Sequence, residues 1–220
     1  MRFLRIMIGV VIFPAALLLP AGRVDWPEAW AFLIVFFTAG VSLRVWMARR
    51  NAGLLKERLE RAPDTERWDK ILMGFYPFLL LSMFVVSALD SGRFGWSSMP
   101  IGFRILGWLG LGGALSIVWW VMSVNPFASS WVRIQEDREH ETIAVGPYRY
   151  VRHPMYLGVI ISMLCIPIIL NSCWGLLPGV VLGLMFVLRT ALEDRTLLAK
   201  LPGYQNYASR VRYRLLPWIW

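Results

Sequence analysis

Cysteine is scarce in this chain, and acidic charge is outnumbered by basic. Its 220 residues include 2 cysteines, Cys165 and Cys173, both inside one apolar stretch. That pattern is neither the evenly spaced set of a disulfide framework nor a metal-ligand spacing, so buried, unreactive thiols and no metal are expected. Asp and Glu number 14 against 23 Lys and Arg, giving a net charge of +9. No Ser–His or Cys–His nucleophile–base pair stands among the loop residues, which argues against hydrolysis. The glycines of GWLGLGGAL (Gly107, Gly110, Gly112 and Gly113) lie within an apolar run rather than between a strand and a helix. They are therefore read as points of close helix approach and not as a dinucleotide fingerprint. No internal repeat or low-complexity segment is present.

What the chain does have is apolar length. It is 57% hydrophobic with 12 Trp, and its mean hydropathy is +0.54, too apolar for a domain that must cover itself with polar surface. Apolar blocks run roughly over 3–21, 28–48, 71–89, 103–124 and 155–190. About 20 residues cross a hydrocarbon core of roughly 30 Å, so each of the first four makes one crossing. The fifth is too long for one crossing and is interrupted by Asn171-Ser172-Cys173-Trp174-Gly175, which predicts a tight helical hairpin of two short spans. Pro14, Pro77, Pro167 and Pro178 are read as kinks within spans.

The expectation is an all-α, polytopic membrane helix bundle of about six spans. Residues 1–124 form a four-span region, and 125–220 form the part that carries chemistry. With the N-terminus inside, twenty of the 23 Lys and Arg fall on the cytoplasmic side, and only Arg23, Arg93 and Arg104 fall outside. This positive-inside bias predicts a multi-pass protein with both termini cytoplasmic, and a bacterial inner membrane is the expected location. The same topology, with attraction to anionic lipid, explains the net charge without a nucleic-acid partner. The first block resembles a signal peptide, but a retained span is the expectation. Residues 52–62, with Leu54, Leu55 and Leu59 among charges, predict a short surface helix ended by Pro63, either a solvated connector or a cover over a site. The run 135–141 reads as an exposed turn, and the tail ending in Trp218 and Trp220 as interfacial.

Two clusters can carry chemistry. In GPYRYVRHPMYLGV, Pro154 suits the first turn of a helix, so Arg152 and His153 stand at its positive end, a place that favours an anion. Tyr156 and Gly158 follow one turn on. A hairpin returns Glu193 and Asp194 to the same edge. Their meeting is either a mutual ion pair, with Arg189 as a further partner, or a site for a zwitterionic ligand. Tyr204, Tyr207 and Arg210 follow at helical spacing and close such a pocket. Tyr148, Arg149 and Tyr150 also suit a simple interfacial belt.

The segment GPYRYVRHPMYLG matches G-x-Y-x-x-x-R-H-P-x-Y-x-G, and EDRTLLAKLPGYQNYASRVRYRLLP is similar to E-E-x-x-L…G-x-x-Y-x-x-Y…R…P. Over about 125–217 the chain thus resembles the isoprenylcysteine carboxyl methyltransferase and phospholipid methyltransferase superfamily. The resemblance implies a membrane methyltransferase that binds S-adenosylmethionine in a cytoplasmic C-terminal pocket and takes a lipophilic small-molecule or lipid-modified acceptor from the bilayer. It implies cofactor contacts at Arg152, His153, Tyr156, Glu193 and Asp194, with Tyr148 and Tyr207, and Arg210 with Glu193 at the reacting centre. Asp194 stands where the family often has a second Glu, Pro202 where a bulky apolar residue is common, and Arg212 where proline follows. In this reading Arg152 and His153 hold the cofactor carboxylate, Glu193 holds its amine or ribose, and Arg210 orients the acceptor. The acceptor is a carboxylate of the isoprenylcysteine type, a thiol or a lipid amine. Two alternatives stand beside it: an NADPH-dependent membrane lipid or sterol reductase, with Arg212 and Arg214 on the phosphates, and a non-catalytic membrane scaffold.

Overall fold

In a computed structural model the described residues are 2–60 and 64–220, with backbone alone for 2–10. They are 72% helical and contain no strand. The helices are α1 (Arg2–Ala21), α2 (Pro27–Arg50), α3 (Ala52–Leu59), α4 (Arg67–Ser87), α5 (Ile101–Val124), α6 (Pro154–Ile169), α7 (Leu176–Lys200) and α8 (Tyr204–Arg210). After α4 the chain continues as a π-helical segment, Ala88–Phe94. Four stretches, Pro27–Arg50, Arg67–Phe94, Ile101–Val124 and Leu176–Lys200, are long and apolar enough to cross a bilayer; Pro154–Ile169 is a shorter apolar helix, and Val11–Ala21 is the apolar part of α1 whose side chains are described. The protein is an integral membrane protein built as a polytopic helical bundle. With 16 residues, α6 extends only about 24 Å at 1.5 Å per residue. The helices continue through Pro14, Pro77 and Pro167, whereas Pro178 falls in the first turn of α7, where its missing N–H costs nothing.

The chain divides into two compact units, and both draw on segments before and after residue 124. One comprises Met1–Ser42, Phe75–Gly112 and Ile161–Gly183. Its core includes Phe13, Phe32, Phe36 and Phe84, with ring centroids 5.1–5.7 Å apart. A Cβ on Gly110 would meet Cys165 Sγ at 2.6 Å, and one on Gly179 would meet the Met163 carbonyl oxygen at 2.6 Å, so α5, α6 and α7 approach closely there. Gly112 and Gly113, expected to share this role, face open space. The hairpin expected at 155–190 is present as α6, a turn and α7. The fully buried Asp90 carboxylate gathers that turn, accepting from Ser172 Oγ (2.6 Å), the Trp174 amide (3.2 Å), and the Ser97 amide and hydroxyl (2.8 and 2.6 Å). Cys165 is buried as expected, but Cys173 is exposed, because the turn lifts it out of the apolar stretch.

The second unit comprises Leu43–Gly74, Gly113–Ile160 and Leu184–Trp220. Met47, Leu54, Val121, Met122 and Ala128 form one of its buried clusters. The surface helix expected at 52–62 is α3, capped by Asn51 Oδ1 on the Leu54 amide (3.0 Å). It ends at Leu59, and Pro63, expected to stop it, lies outside the described residues. More than a connector, α3 is tied to the loop after α5: Arg58 Nη1 donates to the Ala128 carbonyl (2.6 Å), and Arg133 makes a two-pronged pair with Glu57 (2.9 and 3.0 Å). Arg133 also reaches Asp64 and Asp137, and this company raises its affinity for the proton against the cost of burial.

Candidate functional site

The site belongs to the second unit and starts from Arg152. Its guanidinium grips Asp194 with two parallel bonds, Nε to Oδ1 and Nη2 to Oδ2, both 2.8 Å. Nη1 donates to the carbonyls of Val211 (2.9 Å) and Arg212 (2.8 Å). Arg152 and Asp194 are buried, Asp194 completely. The same carboxylate accepts from Arg214 Nε (2.8 Å) and Tyr204 Oη (2.9 Å), and His153 Nε2 lies 3.3 Å from it. A buried carboxylate is stable only when paired and hydrogen-bonded, and here two guanidiniums and a phenol do this. Burial opposes the charge on Arg152, but the Asp194 hydrogen bond and charge prevail and leave its pKa raised.

Facing this pair is a cavity with an empty volume of about 760 Å³, including its open mouth. Tyr148, Arg152, His153, Tyr156, Glu193 and Tyr207 line it, together with Asn125, Phe127, Arg133, Gln135, His140, Glu141 and Tyr204. Tyr156 Oη donates to Glu193 Oε2, and the Tyr156 ring stacks parallel to the His153 ring, centroids 5.9 Å apart. Burial raises the pKa of Tyr148, Tyr204 and Tyr207, so their hydroxyls stay protonated and serve as donors. Tyr207 Oη donates to the Tyr148 carbonyl (2.7 Å), and Asn125 Nδ2 donates to Tyr148 Oη (2.6 Å). Tyr148 thus belongs to the wall, while Tyr150 is exposed, as an interfacial ring would be.

Several expectations come out differently in detail. Asp194 has no surface and does not line the cavity, so it can reach a ligand only through Arg152, His153 or Tyr204. Arg210 lies outside the cavity lining: it is exposed, with Nε bonded to the Asn206 carbonyl (3.3 Å). Of the two alternatives for the meeting of the motif with the hairpin carboxylates, the mutual ion pair is present as Arg152–Asp194, but Arg189 does not join it. Arg189 instead holds Asp69 at 2.8 and 3.2 Å, and the Val132 amide donates to the same carboxylate at 2.9 Å. The first amides of α6 do not wait for an anion, because those of Tyr156 and Leu157 donate to the His153 carbonyl (3.1 and 3.3 Å). Arg214, named for the phosphates in the reductase alternative, has its Nε on Asp194 (2.8 Å).

The run 135–141 is exposed only in part. Gln135 is buried, its amide donating to the Phe127 carbonyl (2.8 Å) and its oxygen accepting from Arg138 (2.6 Å). His140 stacks on Phe127 with centroids 4.6 Å apart, and burial, with Arg133 and Arg138 nearby, lowers its pKa to about 4. Asn125, Phe127, Gln135 and His140 were not singled out from the sequence. Their one signal is a polar loop carrying amides and an aromatic directly after a long apolar helix.

A helical membrane protein with a polar, tyrosine-walled cavity beside an apolar hairpin is the class that fold and site define. The comparison agrees with this: residues 103–202 match the phospholipid methyltransferase family model, and over this segment the chain is similar to the isoprenylcysteine carboxyl methyltransferase and phospholipid methyltransferase superfamily. The matched segment contains Arg152, His153, Tyr156, Glu193 and Asp194, and it ends before Tyr207, Arg210 and the tail. No curated protein matches the chain.

Proposed function

We propose that the protein transfers a methyl group from S-adenosylmethionine to a lipophilic acceptor drawn from the bilayer, with its cavity and both termini on the cytoplasmic side. The observation that carries this reading is the cavity wall itself, where His153, the Tyr156–Glu193 pair and three protonated tyrosines face one space backed by the Arg152–Asp194 pair.

These residues fit the cofactor. Glu193 has Oε2 occupied by Tyr156 and suits an ammonium or ribose hydroxyls. His153, near Asp194 on one ring nitrogen, suits the carboxylate. Arg152, with its donors turned to Asp194 and two carbonyls, fixes the floor rather than gripping the ligand. When bound, the cofactor supplies a methyl already activated by its sulfonium. The chain has then to align the acceptor and exclude water. A carboxylate acceptor, with a reference pKa near 4, needs no base at neutral pH, whereas a thiol near 8.5 needs help to ionise. The exposed Arg210 at the end of α8 is assigned to the anionic part of an acceptor such as an isoprenylcysteine-like carboxylate.

Calorimetry on the detergent-solubilised protein tests this. S-adenosylhomocysteine is expected to bind the parent and to lose about tenfold or more in affinity in His153→Ala and in Glu193→Ala, the scale of one lost charge-assisted hydrogen bond. Equal binding by parent and variants would reject the pocket. Protection by NADPH with no binding of S-adenosylhomocysteine would favour a reductase.

A further inference from the structure

The C-terminal segment after α8 is built into the site at one end and left bare at the other. Its base meets the motif through the backbone: the Arg152 amide donates to the Tyr213 carbonyl (2.9 Å) and the His153 amide to the Arg214 carbonyl (2.8 Å). Arg152 Nη1 takes the carbonyls of Val211 and Arg212, and Arg214 Nε takes Asp194. Beyond this base the chain closes into a small loop. The amides of Arg214 and Leu215 both donate to the Trp220 carbonyl (2.8 and 3.2 Å), those of Ile219 and Trp220 donate to the Leu216 carbonyl (3.3 and 3.2 Å), and Arg214 lies over the Trp220 ring at 4.9 Å. Leu215 is buried beneath the loop, yet Trp218 is 87% and Ile219 78% exposed, and Leu216 is exposed beside them.

An indole and two aliphatic side chains held out by an ordered loop form a surface that water does not favour. Its partner is indicated by position and charge. The bond from His153 places Arg214, the base of the loop, next to the residue that precedes Pro154, where the apolar helix α6 begins. Arg210 and Arg212 precede the tip and are exposed. Tryptophan and aliphatic groups flanked by arginines suit the headgroup layer of an anionic bilayer.

We propose that the Leu216–Ile219 tip docks on an anionic phospholipid surface, and that this contact holds the strap of residues 211–214 against Arg152, His153 and Asp194. The cofactor site is then completed by the membrane surface. The docking itself does not depend on methyl transfer; only its effect on cofactor affinity rests on the proposed function.

Hydrogen exchange of the full-length protein in lipid nanodiscs reads the strap directly, through the Arg152 and His153 amides that its carbonyls cover. The parent in phosphatidylcholine–phosphatidylglycerol discs is expected to exchange these amides about tenfold more slowly than the Trp218→Ser/Ile219→Ser variant in the same discs, and more slowly than the parent in phosphatidylcholine alone. Arg212→Gln, which leaves the apolar tip intact, is expected to speed exchange in the anionic discs. Unchanged protection around Leu182–Phe186 in α7 checks that each variant is folded. Equal exchange at residues 152 and 153 in parent and both variants, or in the two lipids, overturns the proposal. S-adenosylhomocysteine affinity in the same discs is expected to fall severalfold in the Ser/Ser variant. A parent that shows the exchange difference but binds no S-adenosylhomocysteine counts against the cofactor and not against the strap.

Discussion

At the scale of single residues, the buried charge of Asp194 is the centre on which two guanidiniums and a phenol converge. Asp194→Asn leaves Arg152 buried beside a neutral amide, and breaking such a pair costs roughly 3–5 kcal/mol. A corresponding drop in thermal midpoint in detergent is expected, with Arg152→Lys little better, because an ammonium cannot reproduce the fork that reaches a carboxylate and two carbonyls. His140 gives a pH signature. Its pKa falls from 6.5 in the unfolded chain to about 4 when folded, so below 6.5 the unfolded state binds a proton that the folded state refuses. Stability should therefore decline as pH falls from 6.5 towards 4, and unfolding curves of His140→Gln should lose that part of the slope. The cluster of Arg152, His153, Tyr156, Glu193 and Asp194 was legible in the sequence, because one motif and a hairpin bring these residues together. Which of them face the ligand was not. That is decided by carbonyls at positions 211 and 212, and no side-chain pattern announces a backbone acceptor.

At the scale of elements, helix contact is set by backbone approach at a few points. Gly179→Ala would drive a methyl into the Met163 carbonyl oxygen, whereas Gly113→Ala meets nothing within 4 Å. The first is expected to destabilise. The second should stabilise by about 0.5–1 kcal/mol, the usual gain of alanine over glycine in a helix interior. Chemical unfolding of the two variants side by side checks the contrast. The hairpin was legible from its length and from the polar group at its centre. The role of Asp90 was not, since the Ser97, Ser172 and Trp174 groups that meet it become neighbours only once the chain has folded. Removing such an acceptor leaves buried donors unsatisfied, at about 1–3 kcal/mol. Asp90→Ala should accordingly unfold earlier and expose the turn of residues 170–175 to protease.

At the scale of the whole molecule, hydropathy carried the all-helical membrane class, and among the described residues four helices are of spanning length. The expected hairpin of two short spans differs in α7, which has 25 residues, while the sixteen residues of α6 leave little apolar length to spare. Periodicity and hydropathy do not foresee interleaved units, because they describe each helix along its own length, while contacts are shared among segments far apart in sequence. The exposed position of Cys173 turns into an orientation probe that needs no mutation. Cys165 is buried, so a membrane-impermeant maleimide has a single accessible thiol among the described residues, at the turn between α6 and α7. Modification in intact cells would set that turn on the outer face and, by the continuity of α6 and α7, His153 and Glu193 towards the cytosol. Modification only after lysis would invert the molecule.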